Sequence, residues 1–360
     1  MSSDVLIIGA GVNGLFSALV LAGRGLTVSL VDRGGVAMES TWAGAGILSP
    51  LLPWDYGQAV NALSERSRAL WPDWAADLGR RSRTDPEYRA CGLMAVDVDD
   101  PDQALAWCRT HGWRAERTPA LGAHEALWLP DVAQVRNPRL GRALAESCTG
   151  AGVQILADTP VTSLDIADGR IQAVLTASSR LTAERYIIAA GAWSQALLGQ
   201  WAGTLDIQPI RGQILLFQGV QGTLQHILYR RGHYLVPRGD GLILAGSTQE
   251  SAGFDKAVTE AARNELLDFA MDLVPDLGTA AVVRHWAGLR PGSPGNVPTI
   301  SVHPAIGNLY LNSGHFRYGV TMAPASAELL ADLMLGRTPR IDPAPYRWHA
   351  AELDAIQNPS

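Results

Sequence analysis

Short apolar runs alternate along this chain with segments whose apolar positions recur at helical spacing. Each pattern predicts its own element, because a strand alternates its side chains between two faces and a helix turns every 3.6 residues. The apolar runs predict strands at Asp4–Ile8, Leu26–Val31, Cys91–Val98, Ala126–Leu129, Gln154–Leu156, Tyr186–Ala190, Ile207–Gln218, Ile227–Val236, Leu242–Gly246 and Asn308–Asn312. The helical spacing predicts helices at Val60–Gly79, Pro101–His111, Pro138–Gly152, Thr259–Val274 and in a final segment that ends at Leu335. Strands that alternate with helices favour an α/β fold.

The first predicted strand runs into a glycine-rich turn. Gly9, Gly11 and Gly14 have G-x-G-x-x-G spacing, which suits a tight turn, a close approach of backbone to a pyrophosphate, and packing of helix on strand. The next strand ends at Asp32, whose carboxylate can accept hydrogen bonds from ribose hydroxyls. This order predicts an adenine dinucleotide site. The alternative is a glycine-rich turn in an ordinary α/β protein.

Two later stretches extend this prediction. A second strand-to-glycine turn occurs at Gly191, which indicates that the dinucleotide domain resumes there after an insertion. The small residues Ala43–Gly46 offer backbone that a flat group can approach closely, although a flexible loop has the same composition.

Composition narrows the class of protein. The 360 residues are 47% hydrophobic and 18% charged, as expected of a globular chain with a large core, and the net charge of −6 argues against nucleic acid or anionic lipid as the main partner. The three cysteines lack C-x-x-C spacing, which suits a reduced compartment and leads us to expect no metal site. The uncharged run Val5–Gly23 has the hydropathy of a membrane span, but its glycines favour a buried strand and helix. We therefore expect a cytoplasmic protein without an integral membrane span.

Five stretches together resemble the D-amino acid oxidase superfamily of flavoproteins, and within it the glycine oxidases that serve thiamine synthesis. They are Gly9–Gly14 with Asp32, Ser40–Leu48, Ala189–Ser194, Trp286–Gly292 and Gly314–Gly319. The resemblance implies an α/β fold in which a Rossmann-like FAD-binding domain is interleaved with an α+β substrate domain built on a mixed antiparallel sheet. The implied FAD-binding segments are 1–58, 140–206 and 284–345, the substrate segments are 59–139 and 207–283, and residues 346–360 form a C-terminal tail.

The resemblance also implies non-covalent FAD. Some relatives attach the flavin to a cysteine near the C-terminal third, whereas the cysteines of this chain all precede residue 150. Where relatives often have an Asp-Gly-x-Pro turn, this chain has Gly295–Pro298, a departure close to the expected flavin ring. The expected cofactor-binding residues are Gly9, Ala10, Gly11, Val12, Asn13, Gly14, Asp32, Arg33, Ser40, Thr41, Ala45, Gly46, Leu48, Val161, Ala190, Gly191, Trp193, Arg290, Gly314, His315, Phe316, Arg317, Gly319 and Val320.

The implied reaction is oxidative deamination of glycine or of small D-amino or secondary amino acids to the 2-oxo acid. Hydride passes from the α-carbon to flavin N5, and dioxygen reoxidises the flavin and yields hydrogen peroxide. A carboxylate substrate calls for a cation, and the fork of arginine matches two oxygens. By resemblance Arg290 pairs with the carboxylate, Tyr234 donates its hydroxyl to the same group, and Arg317 lies over the flavin. A surface ion pair is the alternative for each arginine.

Other functions stay open from the sequence. A D-amino acid or imino acid dehydrogenase of the same fold would pass electrons to a quinone. A flavin-dependent protein that oxidises no amine, such as a tRNA-modifying enzyme, would keep the fold alone. Self-association into a homo-oligomer is left open. We expect the loops Leu51–Gln58 and Ser247–Phe254 to set the size of the substrate.

Overall fold

The computed structural model describes residues 3–119 and 125–348, so most of the expected tail at 346–360 lies outside the described residues. A six-stranded sheet has the order β18-β19-β12-β1-β2-β8, and its neighbours are parallel except for the pair β18–β19. Its strands are β1 (Ser3–Ile8), β2 (Val28–Val31), β8 (Gln154–Leu156), β12 (Ala183–Ile188), β18 (Thr299–Val302) and β19 (Leu309–Ser313).

An eight-stranded sheet has the order β17-β13-β16-β15-β14-β4-β6-β5, in which β14 and β4 run parallel and the other pairs antiparallel. It is therefore mixed, as the resemblance implied. Its strands are β4 (Leu93–Val96), β5 (Glu116–Pro119), β6 (Glu125–Leu129), β13 (Gln208–Gln218), β14 (Ile227–Arg230), β15 (His233–Pro237), β16 (Leu242–Gly246) and β17 (Ala281–Gly292).

Two smaller sheets complete the β-structure of the described residues. An antiparallel hairpin at residues 161–176 is part of a three-stranded sheet, and a pair of two-residue strands forms the other small sheet. These strands are β3 (Arg89–Ala90), β7 (Ala133–Gln134), β9 (Val161–Ala167), β10 (Arg170–Thr176) and β11 (Arg180–Leu181).

The helices pack on the two large sheets. Helices α1 and α3 each contact both α5 and α8 beside the six-stranded sheet. Helix α7 packs on β13, β15 and β16 of the eight-stranded sheet. The helices are α1 (Val12–Ala22), α2 (Ser40–Ala43), α3 (Gln58–Arg81), α4 (Pro101–Thr110), α5 (Asn137–Gly150), α6 (Ser194–Leu198), α7 (Glu260–Leu273) and α8 (Gly319–Met334). None of the described helices is long and apolar enough to cross a membrane.

Most predicted elements are present, with two differences. The β-structure expected at Ile227–Val236 is a hairpin of two strands, because Arg231 and Gly232 adopt positive φ angles of 47° and 93° and reverse the chain. The domain boundary expected at residue 284 falls inside β17, since the whole strand pairs with β13 in the eight-stranded sheet. The division into domains otherwise stays a prediction.

Candidate active site

A cavity of about 390 Å³ lies where the two large sheets meet. The carboxyl ends of β1, β2 and β19 contribute Ile8, Val31 and Ser313 to its wall, and β13 and β17 contribute Gly212 and Arg290. Ligands of open parallel sheets bind outside the carboxyl ends of the strands, so this position is typical of a cofactor site.

The turn after β1 is shaped by close backbone contacts. Gly9 has a φ of +114°, and a Cβ at this residue would lie 2.4 Å from the carbonyl oxygen of Ala189. A Cβ on Gly14 would lie 1.9 Å from the carbonyl oxygen of Gly9. Helix α1 begins after Gly11, which has no side chain to cap the first turn, and of the N–H groups there that of Val12 donates to the Thr41 hydroxyl at 2.9 Å. Its first turn therefore offers N–H groups and partial positive charge to an anion at the cavity wall.

Asp32 connects this turn to the end of β2. Its Oδ2 accepts from the Ala10 N–H at 2.7 Å, and its Oδ1 accepts from the Gly34 N–H at 2.9 Å. Burial raises the pKa of Asp32, while these two N–H groups counter the shift. Each carboxylate oxygen keeps a lone pair for a further donor, so the residue suits a ribose hydroxyl as well as the turn.

Several polar atoms buried at the cavity wall have no protein partner in the described part of the chain. They are the Oδ1 atoms of Asn13, Asn137 and Asn312 and the Nδ1 atom of His315. Buried polar atoms are normally hydrogen-bonded, so these four indicate a ligand with polar groups of its own. Together with the glycine turn and the free helix terminus, they fit a dinucleotide cofactor.

His315 is held in the neutral form. Its Nε2 lies 3.0 Å from the Ser326 hydroxyl, and burial lowers the pKa of His315 to about 3. A base with this pKa binds a proton weakly at neutral pH, so the imidazole is suited to hydrogen bonding and not to proton abstraction.

Arg290 lies on β17 at the other end of the cavity and is held by neutral oxygens. Its Nη2 donates to the Ser247 hydroxyl at 2.5 Å, and its Nη1 donates to the Thr248 carbonyl at 3.1 Å. Burial lowers the pKa of Arg290, and the hydroxyl of Tyr234 beside it opposes the shift. The guanidinium and the phenol thus face the cavity as neighbouring donors.

Arg317 supplies a second cation to the same end. Its Nη2 donates to the Gly232 carbonyl at 3.3 Å. Burial acts to lower the pKa of Arg317, but nearby tyrosine hydroxyls, with Tyr318 and Tyr56 foremost, raise it overall. Among residues 3–119 and 125–348, neither Arg290 nor Arg317 has a carboxylate within 4 Å. Both charges are therefore available to an anionic ligand.

The predicted site residues come together around this one cavity, although their binding roles stay predictions. Those in the wall are Gly9, Gly11, Val12, Asn13, Asp32, Arg33, Ser40, Thr41, Ala45, Gly46, Val161, Ala190, Gly191, Trp193, Tyr234, Arg290, His315, Phe316, Arg317, Gly319 and Val320.

Four predicted cofactor-binding residues, Ala10, Gly14, Leu48 and Gly314, are not among those that line the cavity, and their binding role stays a prediction. Ala10 donates its N–H to Asp32, and Gly14 packs against the carbonyl of Gly9. Leu48 is 3% exposed and donates its N–H to the Ala133 carbonyl. Gly314 accepts the Ser293 hydroxyl. Ala10 and Gly14 thus support Asp32 and Gly9, which do line the cavity.

Other residues at the site were not singled out by sequence reasoning. Ser247 accepts a hydrogen bond from Arg290 and lies in one of the loops that we expect to set the size of the substrate. Tyr318 lies within the quoted stretch 314–319 and bonds the Tyr56 hydroxyl at 2.5 Å. Asn137 lines the cavity beside Gly46. No local pattern marks Asn137, because it begins a helix that is distant in sequence from the other wall segments.

The fold and the cavity define a dinucleotide-dependent enzyme of the α/β class with a cationic end for substrate. The model of the FAD dependent oxidoreductase family matches residues 4–333, so the chain belongs to this family and its cofactor is FAD.

Individual relatives agree with this family. The chain is 42% identical to the glycine oxidase of Pseudomonas aeruginosa, with 96% of this chain and 98% of that protein covered. It is 31% identical to the bifunctional protein ThiO/ThiG of Synechocystis, covering 99% of this chain and 55% of that protein. The crystal structure of glycine oxidase from Geobacillus kaustophilus matches with a TM-score of 0.91 at 27% identity, covering 97% of this chain and 99% of that chain.

Proposed function

We propose that this chain oxidises glycine and other small amino acids at the α-carbon. The observation that carries the proposal is the pair of guanidinium groups, Arg290 and Arg317, which share one end of the cavity without a carboxylate partner within 4 Å among the described residues. The similarity to glycine oxidases over nearly the whole chain supports the choice of substrate.

Arg290 and Tyr234 orient the substrate. The guanidinium keeps N–H groups for a carboxylate after donating to Ser247 and Thr248, and the Tyr234 hydroxyl adds one more donor. FAD, when bound, supplies the acceptor for the hydride that leaves the α-carbon. The protein thus has to position the amine and exclude competing orientations, and it needs no buried histidine as a base.

Two further features favour a small substrate and an electron-rich reduced cofactor. The Tyr318 ring lines the cavity near Arg317, and the Tyr56 ring packs edge-on against it with centroids 5.1 Å apart. Helix α8 begins at Gly319 on the cavity wall, so its N-terminus favours negative charge there. A cavity with an aromatic ring in its wall beside the cation suits glycine or sarcosine better than a bulky side chain.

The substrate class is tested by measuring hydrogen peroxide release from the purified holoenzyme with glycine, sarcosine, D-alanine and D-proline. We expect glycine or sarcosine to have the largest kcat/KM. Absence of flavin reduction by every one of these amines under anaerobic conditions would contradict the proposal.

We propose dioxygen as the electron acceptor, in line with the oxidases that the chain resembles. The test is anaerobic reduction by glycine followed by rapid mixing with dioxygen or with a quinone. Fast reoxidation by dioxygen is expected. Slow reoxidation by dioxygen together with fast reoxidation by the quinone would identify a dehydrogenase.

We also propose a cytoplasmic location, supported by three free cysteines among the described residues. A homo-oligomer stays a prediction that sedimentation of the holoenzyme can test. A role in thiamine synthesis follows from the resemblance and predicts that deletion of the gene creates a growth requirement for thiamine.

A further inference from the structure

A buried arginine outside the substrate-binding group lies behind the cavity wall. Arg238 is 7% exposed and follows β15. Its Nη1 donates to the Gln134 Oε1 at 2.5 Å and to the Val135 carbonyl at 3.0 Å, and its Nη2 donates to the Ala45 carbonyl at 2.7 Å. Burial lowers the pKa of Arg238 to about 10, so the side chain remains a cation at neutral pH.

This cation is bonded to neutral oxygens alone. Within the described part of the chain no carboxylate lies within 4 Å of Arg238, whereas the nearby Arg136 pairs with Glu87 and Asp240. A buried charge without a counterion is costly, and a neutral donor would suffice to connect two segments. We therefore expect the positive charge of Arg238 to have a function of its own.

The segment that Arg238 holds is part of the cavity wall. Residues Ala45 and Gly46 line the cavity, and the backbone around them is fixed from behind. Gly46 accepts the Val135 N–H at 2.9 Å and has a φ of +78°, and a Cβ there would lie 2.0 Å from the Val135 carbonyl oxygen. The loop thus has little freedom to move away from β7 and from Val135, which follows it.

The orientation of one peptide follows from these contacts. In a planar trans peptide the carbonyl and the N–H point in opposite directions. Because the Ala45 carbonyl points to Arg238, the N–H of Gly46 points away from it, on the side of the cavity wall. This N–H has no acceptor among the described residues. The Gly46 N–H is therefore available at the cavity wall to donate to a ligand atom.

We propose that Arg238 is a positioning residue for the flavin, which directs the Gly46 N–H into the cavity and strengthens it as a donor to a flavin atom that gains negative charge on reduction. A cation on the carbonyl polarises the peptide, and linked hydrogen bonds of this kind reinforce one another in a low-dielectric site. The inference rests on FAD as the cofactor and is independent of which amine is oxidised.

The test compares Arg238→Gln, which keeps a donor without the charge, with Arg238→Lys, which keeps the charge. The control is Arg89→Gln, because Arg89 donates to the Pro237 carbonyl beside Arg238 at 3.0 Å and does not contact Ala45. In Arg238→Gln we expect a more negative midpoint potential of the bound flavin. We also expect the dissociation constant of FAD to rise about 10- to 100-fold, as for loss of one hydrogen bond to a charged group. Arg238→Lys should keep a potential close to that of the wild type.

A merely structural role would lower the unfolding temperature of Arg238→Gln and leave its midpoint potential and FAD affinity equal to those of the wild type, which would overturn the inference. If Arg238→Gln does not fold, the wild-type holoenzyme decides. The amide proton of Gly46 should shift downfield on reduction with dithionite, and an unchanged shift would refute the proposal. None of these measurements uses an amine, so they succeed or fail independently of the proposed substrate.

Discussion

The two ends of the cavity are built in different ways. At the end near β1, backbone N–H groups and a carboxylate from residues 9–41 form the wall, and Asp32 is already bonded to the turn it supports. At the other end the polar groups are long side chains, Tyr234, Arg290 and Arg317, which come from three distant segments. A binding site formed by backbone groups comes from one short stretch of sequence. A site formed by side chains from distant segments is assembled only when the whole chain folds.

Two arginines on paired strands show what makes a guanidinium available. Arg211 on β13 lies opposite Leu289 on β17, next to Arg290. Its guanidinium is bonded to Glu250 and Asp255 at 2.7 Å each. That of Arg290 is bonded to the neutral Ser247 and Thr248. The paired charge is neutralised and holds a loop, and the charge bonded to neutral groups is left for a ligand.

The largest effect should come from the side-chain end. Replacement of Arg290 by alanine should raise KM for glycine and lower kcat/KM, because the substrate carboxylate loses its cation. The loss of transition-state stabilisation that corresponds to this drop in kcat/KM should be about 2–5 kcal/mol. The flavin absorbance of the purified protein should remain. The matched control is Arg284→Ala, an exposed arginine on the same strand that lies over Trp42. An unchanged KM in Arg290→Ala would contradict the assigned role.

A substitution at the end of the cavity near β1 should weaken the binding of FAD and leave the binding of glycine unchanged. Gly14→Ala places a methyl group 1.9 Å from the Gly9 carbonyl oxygen and forces the turn apart. Overpacking of this kind costs about 1–3 kcal/mol, and we expect lower FAD content and a lower unfolding temperature. KM for glycine should stay unchanged in the molecules that retain FAD. Gly34→Ala is the control, since no heavy atom lies within 4 Å of its added Cβ. Equal FAD loss in both variants would show that the contact with Gly9 is unimportant.

His315 allows a test by pH. Its folded-state pKa of about 3 lies below the ordinary value of 6.5, so the unfolded chain binds the proton more tightly. Its contribution to stability is complete above the unfolded pKa and is lost as the pH falls through the window from 6.5 to 3. The free energy of unfolding should therefore fall by about 2 kcal/mol more between pH 7 and pH 5 in the wild type than in His315→Gln. Parallel pH profiles would show that this imidazole is not buried as a neutral group.

The smallest effect on stability is expected for Arg33, a partly exposed residue at the rim of the cavity. Arg33 lies 3.6 Å from the ring centroid of Trp193 and pairs with Glu39, but its side chain is 44% exposed. Arg33→Ala should destabilise the holoenzyme by less than about 1 kcal/mol, as solvent screens both contacts. Thermal unfolding followed by flavin fluorescence measures this. A loss of FAD as large as that expected for Gly14→Ala would move Arg33 from the rim into the main binding group.

More of the fold than of the detailed site could be predicted from the sequence. Apolar runs and glycine turns indicated β1, β2 and β12, because buried parallel strands have no polar face. The hairpin turn was missed although Gly232 marks it, because an arginine such as Arg231 rarely adopts positive φ. Arg238 was missed for a related reason: its acceptors at Ala45, Gln134 and Val135 are distant in sequence.

What the sequence by itself determined is the dinucleotide turn. Tight backbone contacts at Gly9 and Gly14 exclude side chains, and that requirement is visible as glycine spacing. Only the tertiary structure decided which arginines keep a free charge. Arg211, Arg238 and Arg290 are the same residue type, and the partners that distinguish them lie on other strands and loops. Charge pairing depends on distances in space, and a linear chain does not contain them until it folds.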